Sequence, residues 1–141
     1  MNRKVKFRAW DIVNKKILYP KDIFNSRDLW YTDLPDGILQ LERILDSYGI
    51  RQVLEIQQFT GLFDKNNKEI YENDLIKVIG YDGWDDSEGF DIIGLVKWCA
   101  IHIGWRMFTK KMIESSNCSG SDIFKPITII GNLNENPELL K

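Results

Sequence analysis

The sequence predicts a mainly β protein of the α+β kind: a small, strongly bent barrel of the SH3-like type, with an N-terminal hairpin before it and one packed helix. Three observations predict this. The middle of the chain reads as strand, turn, strand: Glu55-Ile56-Gln57-Gln58-Phe59 mixes apolar and polar residues as a half-buried strand does, Asp64-Lys65-Asn66-Asn67 is turn chemistry, and Asp74-Leu75-Ile76-Lys77-Val78 restarts a strand. An acidic residue just before such an apolar run, here Asp74, is the usual opening of a strand in small bent barrels. Finally, five Trp, five Tyr and seven Phe within a hydrophobic fraction of 43% favour a folded, strand-rich chain over a disordered one, and four Pro and ten Gly supply the turns.

Taken in order, Val5, Phe7 and Ala9 alternate with Lys4, Lys6 and Arg8, a period of two with a basic outer face. Trp10-Asp11 ends that strand, Asn14-Lys15-Lys16 turns it, and Ile17-Leu18-Tyr19 returns before Pro20 closes it. Residues 21–33 carry no periodicity, and Phe24, Trp30 and Tyr31 suggest a loop packed on the body. From Asp36 to Tyr48 the spacing predicts a helix. Ile38, Leu41, Ile44, Leu45 and Tyr48 make an apolar stripe at intervals of three and four, with Pro35 near the entry and Gly49 at the exit. Glu42 and Asp46 are like charges four apart, so packing rather than propensity must hold it.

Beyond the central hairpin, Tyr81 to Asp91 reads as an acidic, glycine-containing loop. Strands are expected at Ile92 to Trp98 and Ile101 to Phe108, joined as a meander. The second sets Ile101, Ile103, Trp105 and Met107 on one face and His102, Arg106 and Phe108 on the other. Lys110 to Lys125 is a polar, serine-rich excursion, Ile127 to Ile130 a short β-branched strand, and Asn136-Pro137 opens a final helical turn.

At 141 residues the chain suits a single domain, 1–141, comprising the hairpin and helix of 1–50 and the barrel portion of 51–141. A net charge of −2 creates no global field toward nucleic acid or anionic membrane, so such a partner needs a local patch. Cys99 and Cys118 are too few for a disulfide framework. Lys6, Arg8 and Asp11 interrupt what would be the apolar part of a signal peptide, and no apolar run is long enough to span a bilayer. The expectation is a cytoplasmic protein with reduced thiols and no membrane partner.

The segment from Gln58 to Leu75, Gln-Phe-Thr-Gly-Leu-Phe-Asp-Lys-Asn-Asn-Lys-Glu-Ile-Tyr-Glu-Asn-Asp-Leu, resembles the signature of the YopX family. Lys6-Phe7-Arg8-Ala9-Trp10-Asp11 resembles that family's opening, and Ile130-Gly131-Asn132 with Glu135-Asn136-Pro137-Glu138-Leu139-Leu140 its closing motif. The resemblance implies a small protein encoded by bacteriophages and prophages, of a family whose biochemical function is unknown. Asn67 and Asn73 stand where the family pattern has Gly; Asn tolerates the left-handed backbone better than other non-glycine residues, so both turns should persist.

Two charged constellations stand out. Residues 1–21 hold Arg3, Lys4, Lys6, Arg8, Lys15, Lys16 and Lys21 against Asp11 alone, interleaved with Phe7, Trp10 and Tyr19. Cations for phosphates and rings for stacking make Lys4, Lys6, Arg8, Trp10, Lys15 and Lys16 a candidate binding face, although an amphipathic hairpin with a solvated face has the same pattern. Asp82, Asp85, Asp86, Glu88 and Asp91 form an acidic loop whose spacing matches no calcium loop; it reads as a solvated loop, a cation site, or a mimic of a line of phosphates. Cys99, His102 and Cys118 offer three metal ligands without a fourth, against the alternative of a core cysteine and an exposed strand histidine. Neither a metal nor a cofactor is assigned, and no catalytic motif is found. The expected function is a non-enzymatic protein-binding or assembly module, its own copies included, the basic N-terminal strand of one copy lying near the acidic loop of the next. The alternative is a weak, sequence-tolerant nucleic-acid binder using the basic face.

Overall fold

The computed structural model describes residues 4–27, 29–33, 39–44, 51–80, 89–116, 119–123 and 125–140. The fold is mainly β, with short helices only among the described residues, and the chain divides into two compact units: Val5–Gln58, and Phe59–Lys141 together with Met1–Lys4.

The first unit begins with β1 (Phe7–Asp11), the turn at Asn14 and Lys15, β2 (Lys16–Leu18) and the helical turn α1 (Pro20–Asn25). β1 pairs antiparallel with β2 (Ala9 opposite Leu18) and with the start of β6 (Glu55–Phe63), Ala9 facing Ile56. The hairpin is thus as expected, but its outer face is not. Arg8 is 3% exposed and Trp10 8%, so from Arg8 to Asp11 the strand is buried on both faces, while Phe7 is exposed. Arg8 Nε donates to Gln57 Oε1 at 2.8 Å, the cross-strand partner that lets a guanidinium sit inside.

The predicted helix over Asp36 to Tyr48 is corrected where it can be seen. Residues 39–44 are a strand, β4 (Leu39–Ile44), the middle of a three-stranded antiparallel sheet between β3 (Leu29–Asp33) and β5 (Arg51–Val53). Tyr31 faces Leu41 and Glu42 faces Val53 in this sheet. The remainder of that helix, 36–38 and 45–48, lies outside the described residues. Leu39 and Leu41 also satisfy a period of two, and hydrogen bonds to two neighbouring strands outweigh the helical spacing. Leu41 joins Ala9, Leu18, Ile23 and Leu54 in a small core.

In the second unit β6 continues past Gly61, whose φ of 85° coincides with a shift of register toward β7 (Glu69–Tyr71). After a tight turn come β8 (Asp74–Gly80), β9 (Phe90–Cys99) and β10 (Gly104–Phe108), then α2 (Lys110–Glu114), capped by Thr109, and β11 (Ile127–Asn132). The sheet order is β10-β9-β8-β11. β8 and β11 share one sheet, whereas β6, the first strand of the expected central hairpin, belongs to the sheet β2-β1-β6-β7, and Ile76 faces both Gly94 and Ile129. Ile70, Ile76, Val78, Val96, Met107 and Ile127 form the core. The strand expected from Ile101 starts later: residues 100–103 are the β9–β10 turn. The helical turn at Pro137–Leu139 is 3-10.

Candidate functional site

The central family-like segment proves to be a builder of turns, whereas the opening one is strand β1. Asn67 and Asn73 have φ of 63° and 65°, the left-handed backbone expected of them. Asp64, 8% exposed, accepts the N–H of Asn66 at 2.8 Å and of Lys68 at 2.9 Å, both on Oδ1. Burial opposes its ionisation, but those two N–H groups, with that of Ile129 and the Lys68 charge, outweigh it and hold the carboxyl below the usual aspartate value. Asp74, 2% exposed, accepts the Tyr71 N–H at 2.8 Å and lies 3.4 Å from the Asn132 amide, while the Leu133 N–H bonds Asn73 O. The central and closing motifs thus meet through the buried Asp74 and Asn132 side chains and through backbone hydrogen bonds.

The basic face is partly rearranged. Lys4, Lys15 and Lys16 are exposed and Lys6 is half-buried, whereas Arg8 and Trp10 are interior. Lys16 instead joins Lys21 and Arg43 around a concavity of about 340 Å³ in the first unit, with Leu18 and Leu29 in its lining and Asp22, Asn25 and Ser26 on its α1 side. Arg43, whose side chain is 15% exposed, lies 2.7 Å from Asp11 Oδ2. Asp11 is fully buried, which disfavours its charge, yet the side-chain amide and backbone N–H of Asn14 and the Arg43 charge keep its carboxyl below the usual value. Sequence reasoning missed Arg43 because it placed that residue on a helix, among solvated charges.

Of the acidic loop, Asp82, Asp85, Asp86 and Glu88 lie outside the described residues. Asp91 is exposed on β9, 3.1 Å from Lys77 Nζ. Cys99 is a buried free thiol and His102 is exposed, in the turn rather than on a strand; Cys118 lies outside the described residues. Among the described residues no three His, Cys, Asp or Glu side chains gather as metal ligands. None of the helices there is long and apolar enough to cross a membrane.

Among the described residues of the second unit, the β9–β10 turn carries the most exposed large hydrophobic side chains. Ile101 is 62% and Ile103 80% exposed, and Trp98, stacked edge-on with Trp105 at 5.3 Å, is 46% exposed. Ile103 has a φ of 48°, a costly backbone for a β-branched residue, and it presents its side chain to solvent there. The hydrophobic periodicity had placed Ile101, Ile103 and Trp105 on one strand face, which concealed this tip.

No curated protein matches the chain. Protein EF1440 from Enterococcus faecalis is 25% identical, with a TM-score of 0.49, over 99% of this chain and 100% of that one. The protein yopX from Bacillus subtilis is similar in fold, with a TM-score of 0.51 at 16% identity, over 100% of this chain and 98% of that one. The family described as YopX protein matches residues 6–141, nearly the whole sequence and all three of its motifs. The chain belongs to the YopX family.

Proposed function

We propose that this is a non-enzymatic accessory protein of phage or prophage origin, acting in the cytoplasm of the bacterial host as a protein-binding or assembly module, copies of itself included among its partners. In this reading the 51–141 portion is a small barrel of the SH3-like kind that presents the β9–β10 turn. The observation that supports it is the solvent-facing apolar tip, Trp98, Ile101 and Ile103. Covering an Ile side chain is favourable by about 1.5–3 kcal/mol, and Trp is among the residues most enriched at binding hot spots. The test is a pull-down from phage-infected cells with the wild type and the Ile101→Ser/Ile103→Asn variant. Asn suits the left-handed backbone at 103, so that variant should fold. A protein retained by the wild type and lost by the variant is expected; identical profiles would remove the tip from the function.

The second reading, nucleic-acid binding at the N-terminal face, is supported by the exposure of Lys15, Lys16 and Lys21. It must do without Arg8 and Trp10 as surface groups. Electrophoretic mobility shift at two salt concentrations tests it, because phosphate contacts weaken steeply with salt.

A further inference from the structure

We infer that the concavity lined by β2, α1 and β4 is a binding site for a phosphate group, carried either by a small phosphomonoester or by a nucleic-acid strand. The inference shares no residue with the apolar tip and goes beyond the protein-binding reading.

Three cationic residues from separate segments line it: Lys16 from β2, Lys21 from α1 and Arg43 from β4. Among the described residues the lining holds one carboxylate, Asp22, and its Oδ2 already accepts the Tyr19 N–H at 3.0 Å. Arg43 is the least exposed of the cations, and burying a guanidinium requires compensation that Asp11 supplies at 2.7 Å. That contact also fixes the orientation of a planar group whose N–H donors match phosphate geometry. Asn25 and Ser26 add uncharged polar side chains at the rim. With Asp11 and Asp22 both counted against the three cations, the described side chains of the site sum to a net charge of +1, which favours an anion. Its mixed supply of point charges, a rigid fork and neutral polar groups suits tetrahedral oxygens better than a planar carboxylate alone. About 340 Å³ accommodates a phosphate and the carbon skeleton attached to it, at the lower end of small-ligand pockets.

The test is a backbone-amide shift titration of the full chain with inorganic phosphate, a nucleoside monophosphate, and oligothymidylate with and without a 5′ phosphate, at two salt concentrations. Saturable shifts at Lys16, Lys21, Asn25 and Ser26 are expected. Affinity should fall at least about tenfold in Lys16→Glu/Lys21→Glu and stay within about twofold in Lys110→Glu/Lys111→Glu. The second variant makes the same charge change on exposed residues of the other unit. Equal affinity for the monophosphate and the 5′-phosphorylated strand identifies a phosphomonoester. Equal binding of both strands, with steep salt dependence, identifies backbone phosphates. Absence of saturable shifts at these residues with every probe, or equal loss in both double variants, overturns the inference; neither result bears on the apolar tip.

Discussion

Removing the Asp64 carboxylate tests whether the central family motif is a structural turn. In Asp64→Ala, the N–H groups of Asn66 and Lys68, bonded to Oδ1 at 2.8 and 2.9 Å, lose an ionised acceptor. Hydrogen bonds to a charged group contribute about 1.5–3 kcal/mol each, but Asn66 and Lys68 are exposed and water replaces part of that. A loss of about 2–4 kcal/mol is expected. For a domain of this size that lowers the Tm by roughly 3 °C per kcal/mol, or about 6–12 °C. Asp64→Asn keeps one oxygen for the two donors that share Oδ1 but removes the charge that also draws the Ile129 N–H, and should cost about half as much. The pH dependence is a second check. The folded-state carboxyl titrates below its unfolded value of about 3.9, so its contribution is fully present above that value and lost as the pH falls through the folded one. The stability gap between the wild type and Asp64→Asn should therefore narrow in acid, and Asp11, also depressed, cancels because both proteins contain it. Urea denaturation from neutral pH into the acid range measures this. An Asp64→Ala protein within about 0.5 kcal/mol of the wild type, or a gap that does not change with pH, would refute the reasoning.

Two further substitutions probe the second unit's core. Ile76→Asp puts a carboxyl at a position with 0% exposure between β9 and β11, and a cost above about 4 kcal/mol should leave most of the protein unfolded; an unchanged melting curve by circular dichroism would contradict it. Gly94→Ala would bring a methyl against Met107 Cγ and within 3.2 Å of the Phe108 carbonyl oxygen. Because the thioether can yield and the backbone cannot, a loss of about 1–3 kcal/mol in denaturant is expected, and a neutral or stabilising result would mean the β9–β10 contact is looser than drawn.

The parts of the fold that were legible in the sequence are those governed by neighbours in the chain. The turn chemistry of Asp64 to Asn67, the left-handed Asn67 and Asn73, the hairpin through Lys15 and the β-branched run from Ile127 all depend on local dihedral preferences and short-range hydrogen bonds. The central family motif was legible for the same reason, since it encodes turns. The tertiary structure decided what depends on distant partners. Residues 39–44 satisfy both helical and strand periodicities, and the choice fell to β3 and β5, whose backbone groups pair with them. Arg8 looked like a surface cation because alternation assigns a face but not its environment; it is interior because Gln57, 49 positions away in sequence, meets its guanidinium. Arg43 reached the basic pocket by the same route, through Asp11. Burying a charge is tolerable only with a partner, and such a partner is selected by folding rather than by proximity in sequence.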